Sequence, residues 1–161
     1  MAEMKSPGTI RALGAAVMLA GALTFSGTVQ ACAITKTRAL FEYDGRTQTI
    51  LDGEAAMARA QASQKVIPSA AATDISAKAQ VALVPQEAFD GEYSVVNHRM
   101  VALLNILRRS LDHMGDQYVH FGATTVDIYG TATVLQTLGA LDEMDACLGR
   151  AMDAMASLAK A

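Results

Sequence analysis

A chain of 161 residues is long enough for one core-burying domain, or for a domain with an appendage. Its composition, 52% hydrophobic and 5% aromatic with nine methionines and no tryptophan, is that of packed helices rather than of a β-sandwich. A net charge of −3 gives no electrostatic reason for a nucleic-acid partner, and Arg108-Arg109 reads as a solvated helix face.

The amino-terminal stretch differs from the rest. Lys5 and Arg11 precede an almost uncharged run from Leu13 to Val29, which ends in Val29-Gln30-Ala31 before Cys32. That is the outline of a secretory signal. Glu3 in the basic region, the glycines at 14, 21 and 27, and Gln30 count against it, and the run is short for a membrane span. A buried or frayed helix and a spurious gene start are the other readings. Cys32 and Cys147 are too few for a disulfide framework and read as buried or idle thiols.

From Thr37 the pattern is helical. Leu40, Phe41, Ile50, Leu51, Ala55, Met57, Ala58 and Ala62 recur at steps of three and four, and Pro68 closes the segment. The spacing predicts a second helix from Ser69 to Val81 and a loop over 83–93, where Pro85 and Gly91 interrupt. A third helix is predicted from Val95 to His113 through Met100, Leu103, Leu104, Leu107 and Leu111, with Gly115 as its stop. The fourth starts near Thr125 and runs almost to the end. Val134, Thr137, Leu141, Met144, Leu148, Ala151, Met155 and Leu158 fall on the a and d positions of a heptad seam. Ile128, Leu135 and Leu138 form a second stripe. A helix with such a seam needs partners, because most helical stability comes from tertiary packing.

"HFGATTVDIYGTATVLQ", residues 120–136, puts much polar chemistry before this last helix. Thr124 followed by Asp127 is a Thr-x-x-Asp variant of the capping box, with the Thr125 hydroxyl in the first turn. Helix starts carry unpaired N–H groups and about half a positive charge, which suits an anion. Gly122 and Ala123 permit close backbone approach, and His120 stands just outside as a proton donor or anion partner. Two readings follow: a carboxylate site, or a plain helix cap beside a surface or satisfied histidine.

The same stretch closely resembles the first signature region of the fumarase/aspartase superfamily, in its adenylosuccinate lyase and 3-carboxy-cis,cis-muconate cycloisomerase branch. The usual form there reads like H-x-G-A-T-S-x-D-[IV]-x-D-T-A-x-x-L-Q. This chain keeps His120, Gly122, Ala123, Thr124, Asp127, Thr131, Ala132, Leu135 and Gln136. Upstream, "YDGRTQTILDGEAAMARAQASQKVIP" resembles the branch's amino-terminal helix pair, with Arg46, Gln48, Asp52, Glu54, Arg59, Gln61 and Pro68 in order. The Ala-Arg-Ala-Gln and Val-Ile-Pro phrases look like cycloisomerase members, whereas Asn97-His98 is similar to the histidine segment of adenylosuccinate lyases.

The resemblance, over roughly residues 38–161, implies an all-α fold: an amino-terminal helical domain (37–122) followed by the first long helix of a helical bundle (123–161), after an apolar segment (1–36). It implies that Thr124 and Thr125 bind a substrate carboxylate, with Thr125 in place of the usual serine. His120 would hydrogen-bond or protonate the bound dicarboxylate, with His98 and Gly122 also contacting substrate. The family chemistry removes a proton beside a carboxylate and releases fumarate by breaking a C–N or C–O bond; cycloisomerases run related lactone chemistry. It also implies a homotetramer. Gly130 replaces the customary aspartate, Val126 a polar residue, and Arg99 stands where adenylosuccinate lyases prefer aspartate. The second and third signature regions, bearing a catalytic histidine and a mobile Gly-Ser-Ser loop, have no counterpart in these residues.

Three readings therefore stand: a truncated lyase-type chain that is inactive alone, a non-catalytic helical oligomerisation or interaction module, and an exported helical protein whose likeness is inherited. A dicarboxylate ligand and a homo-oligomer formed through the helical seam are expected. Cofactors, metals, nucleic acid and membrane, apart from the signal-like segment, are not. His113, His120, Asp112 and Asp116 share no helix face across Gly115, which speaks against a metal site. A cytoplasmic location is expected, with export through 13–31 as the alternative.

Overall fold

The computed structural model describes residues 35–160, so the apolar run, its signal-like end and Cys32 lie outside the described residues. Helix α1 covers 35–41, followed by α2 (Tyr43–Ser63), α3 (Ser69–Lys78), a short 3₁₀ turn (Val81–Leu83), α4 (Gln86–Val96), α5 (Arg99–Arg108), α6 (His113–Tyr118) and α7 (Thr125–Lys160). The architecture is all-α, with no strand among the described residues. Residues 37–142 form one compact unit. The other includes, among the described residues, 35–36 and 143–160. Lys36 Nζ lies 3.2 Å from Glu143 Oε1 within it, and Cys147 is half-buried there.

The core of the 37–142 unit follows from spacing. On α2, Thr47, Ile50, Leu51, Glu54, Ala55 and Ala58 are buried at steps of three and four, so one stripe faces inward. Helix α5 buries Met100, Ala102, Leu103, Leu104, Ile106 and Leu107, most of its ten residues, and is therefore central. Each fully buried leucine contributes about 1.5–3 kcal/mol. Helix α7 meets this core not through its seven-residue seam but through Ile128, Ala132 and Gln136, buried at steps of four, with Tyr129 packed partly buried beside them. The Gln136 amide donates to the Leu40 carbonyl of α1.

Three predicted boundaries move. The loop expected over 83–93 is largely helix α4. Pro85, read as a breaker, is its N-cap, where the missing N–H costs nothing. Phe89, Tyr93 and Val96 then form a stripe at helical steps. Phe89 packs edge-on to Tyr43 with ring centres 5.6 Å apart, and stacks with Tyr93 at 6.2 Å. The helix expected over Val95–His113 is two segments around Asn97, which takes a left-handed φ of 50° and donates its N–H to the Tyr93 carbonyl. Asparagine tolerates that conformation, and it ends α4. Glu92 bridges the pair by accepting from Asn105 at 2.8 Å and pairing with Arg109, and these contacts hold its carboxyl below the usual range. Gly115 lies inside α6 rather than stopping a helix. A Cβ there would sit 2.1 Å from Asp74 Oδ2, the atom that accepts from the Asp112 N–H at 2.8 Å. The glycine thus lets α6 approach α3.

All eight seam residues of α7 are exposed, and Leu135 and Leu138 with them. No helix among the described residues is long and apolar enough to cross a membrane. Gly130 is exposed in mid-helix with open space where a Cβ would go. Gly130→Ala is accordingly expected to raise stability by about 0.5–1 kcal/mol, read as a higher urea midpoint with unchanged slope.

Candidate functional site

The start of α7 is delivered by a short loop from α6, and its geometry is fixed from α2. His120 and Gly122 both adopt left-handed φ, 60° and 66°. Glycine does so without strain; for histidine the cost is roughly 1–2 kcal/mol and needs compensation. Two contacts supply it. His120 Nδ1 lies 2.6 Å from Glu54 Oε1, and Gln61 Nε2 donates to the Phe121 carbonyl at 2.7 Å. Glu54, Ala58 and Gln61 follow one another at steps of four and three on α2, so one helix face holds the loop. The Phe121 ring packs against Tyr118, with centres 5.6 Å apart.

Glu54 is 1% exposed, and the His120 side chain 15%. Burial pushes the Glu54 carboxyl above its ordinary value, while the hydrogen bond and charge of His120 work the other way. Its Oε2 and the Oε1 of Gln61 are buried without a hydrogen-bond partner. A raised Glu54 fits that environment, because a protonated carboxyl loses less on leaving water. The pairing engages Nδ1 of His120, so Nε2 is the ring nitrogen not held by Glu54.

At the helix start, Asp127 Oδ2 accepts from the Thr124 N–H at 3.3 Å, and the Asp127 N–H donates to the Thr124 carbonyl at 3.0 Å. Asp127 thus makes one arm of the capping arrangement. Thr124 is exposed and Thr125 half-buried. The first N–H groups of α7, those of Thr125 and Val126, have no carbonyl four residues back inside the helix. Hydroxyls, open amides and an imidazole nitrogen therefore share one loop-to-helix junction, a donor set for a carboxylate.

His120, Gly122, Thr124 and Thr125 are brought together in this junction. His98 is placed otherwise. It is exposed, caps α5, and accepts the Val101 N–H on Nδ1 at 3.3 Å, which puts the proton of the neutral ring on Nε2. Glu54 and Gln61 hold this junction from α2, a part that no local sequence pattern assigns to them. Among the described residues no group of three His, Cys, Asp or Glu side chains is arranged to hold a metal ion.

No protein-family model matches the chain. Individual relatives do. A 3-carboxy-cis,cis-muconate cycloisomerase of Bradyrhizobium diazoefficiens is 36% identical over 116 residues, covering 70% of this chain and 26% of that protein. An adenylosuccinate lyase of Methanothermobacter thermautotrophicus is 30% identical over 122 residues, 76% of this chain and 27% of the relative. The crystal structure of the 3-carboxy-cis,cis-muconate lactonizing enzyme from Pseudomonas putida superposes with a TM-score of 0.73 at 31% identity, over 81% of this chain and 31% of that one. The chain thus spans between a quarter and a third of the length of these relatives. With the 120–136 motif, the helical architecture and these likenesses in agreement, the chain belongs to the fumarase/aspartase superfamily, in its adenylosuccinate lyase and 3-carboxy-cis,cis-muconate cycloisomerase branch.

Proposed function

We propose that residues 120–125 form the first carboxylate-binding region of a fumarate-lyase-type site. Thr124 and Thr125 bind one carboxylate of a dicarboxylate substrate through their hydroxyls and the open amides of α7. His120, oriented by Glu54, meets the bound acid through Nε2 as hydrogen-bond partner or proton donor. Donors fixed in advance favour the charge that grows on a carboxylate when the adjacent carbon loses its proton. The chemistry served is elimination releasing fumarate, as in adenylosuccinate lyases, or lactone cycloisomerisation. The observation that carries this reading is the buried Glu54 holding His120 in a left-handed conformation at 2.6 Å, beside a helix start with free hydroxyls. Residues 1–161 by themselves bind without turning over, since the proton-abstracting groups of the family's second and third regions are not among them. In this reading residues 37–122 are the amino-terminal lyase domain, and 123–161 begin the central bundle of a homotetramer.

Calorimetric titration with fumarate tests the binding. Thr124→Val/Thr125→Val should weaken it about tenfold or more, the loss of one to two hydrogen bonds to a charged acid. Adenylosuccinate mixed with this chain alone should give no fumarate absorbance. Equal affinity in parent and variant, or no fumarate binding at all, contradicts the proposal. A second reading, a non-catalytic helical interaction module, draws on the exposed apolar face of α7, where Val134, Leu138 and Leu141 are each more than half exposed. It predicts self-association in sedimentation without dicarboxylate binding.

A further inference from the structure

Two features of the sequence take no part in the 120–125 junction. One is the run from Leu13 to Thr35, which carries no Asp, Glu, Lys or Arg; the other is the cysteine pair Cys32 and Cys147. Most of the run lies outside the described residues, but helix α1, into which it leads, does not. In the 37–142 unit, a Cβ on Gly139 of α7 would sit 3.2 Å from Leu40 Cδ1, so the glycine admits that side chain, and Gln136 donates to the Leu40 carbonyl. In the other unit, Lys36 pairs with Glu143 at 3.2 Å. Going back from Leu40 to Lys36 thus moves the partner on α7 forward from Gly139 to Glu143, the register of antiparallel helices.

Burial along α7 follows the same register. After Gln136, the positions up to 160 that are not exposed are Gly139, Ala140, Glu143 and Cys147, which fall on one stripe, the one that α1 faces. Cys147 stands one turn beyond Glu143, and Cys32 one turn before Lys36. Ala151, Ala154 and Leu158 continue the stripe, flanked by Met144, Leu148 and Met155, and all six are exposed. The upstream run supplies Phe25, Val29 and Cys32 at matching helical steps, with no charge to strand against that face. As a helix, Leu19 to Lys36 equals Glu143 to Lys160 in length. Tethered at Lys36, it competes at a roughly millimolar effective concentration, well above that of a second copy in dilute solution.

We propose that this uncharged run docks as an antiparallel helix on α7 of its own chain, over Cys147, Ala151, Ala154 and Leu158, with Cys32 facing Cys147. The docking does not depend on whether the 120–125 junction binds a carboxylate.

Oxidised glutathione added to the purified 1–161 chain reads the register. Oxidation joins the sulfurs of Cys32 and Cys147, and the glutathione disulfide takes up the two protons and two electrons to become two thiols. The bond needs Cα atoms about 4.4–6.8 Å apart, so facing positions are favoured. The expected product is a monomer with an internal Cys32–Cys147 link, identified as a joined peptide after proteolysis. Cys147→Ser/Asp145→Cys carries the thiol to the opposite side of α7 and should link at least about tenfold more slowly. Cys32→Ser/Cys147→Ser/Thr28→Cys/Ala151→Cys, one turn further along both partners, should link as fast as the parent. Circular dichroism confirms that each variant keeps its helices. A disulfide that joins two chains would give the face to a second copy and overturn the proposal. Parent thiols that stay open to alkylation after oxidation, an Asp145→Cys variant that links as fast, or a Thr28→Cys/Ala151→Cys pair that does not link would each overturn it as well.

Discussion

The His120→Ala variant is expected to be about 3 kcal/mol less stable than the parent at neutral pH, because it strands a buried carboxyl. Glu54 is 1% exposed, one of its oxygens already lacks a partner, and the other would lose His120. The pH dependence has a definite sign. Burial holds the native Glu54 pKa above its ordinary 4.5, so the folded chain keeps this proton to higher pH than the unfolded one. The group's contribution to stability is therefore fully present below 4.5 and is lost as pH rises through the folded value. His120 is what limits that rise, and without it the native pKa moves further up. The deficit of His120→Ala should accordingly be smaller in urea titrations near pH 4 than near pH 7. Glu54→Leu/His120→Leu, which removes both partners, should recover most of the loss, since an unmet partner costs more than a replaced pair. A deficit that grows on acidification would contradict the pairing.

Leu51→Ala is expected to cost about 2–5 kcal/mol, the range for emptying a fully buried leucine site. Leu51 is 0% exposed, on the α2 face that also presents Glu54 and Ala58. Leu138→Ala, on the α7 face where Leu138 is 53% exposed, should change the stability of an isolated chain by no more than about 0.5 kcal/mol. Guanidinium unfolding of the two variants side by side reads both effects. A large loss at Leu138 would mean that the apolar face of α7 is covered in solution, and concentration-dependent melting would then identify an oligomer.

The parts of this molecule visible in its sequence are those written in local chemistry. The start of α7 was legible because Thr124 and Asp127 sit at capping distance, and Pro68, read as the close of the preceding segment, marks the boundary at which α3 begins. Pro85 and Gly91 misled because punctuation residues say that the chain changes course, not which side of them is helical. The uninterrupted apolar periodicity from Val95 to Leu111 concealed the break at Asn97, since a single left-handed residue alters direction without altering pattern. At the site, Thr124, Thr125, Gly122 and His120 were readable as one contiguous motif. The partnership of His120 with Glu54 crosses 66 residues, and no local pattern encodes it. Arg99 stood out in sequence only as a departure; its approach to the rings of Phe89 and Tyr93 needed the packing of α4 against α5.

The most direct test of the account is an NMR titration of the isotopically labelled chain with fumarate, following the backbone amides of Thr124, Thr125 and Val126 and the ring nitrogens of His120. The account predicts saturable shifts at those amides and at His120 Nε2, with Nδ1, held by Glu54, moving least. Amides and imidazole that stay fixed while fumarate is raised to saturating excess would contradict it.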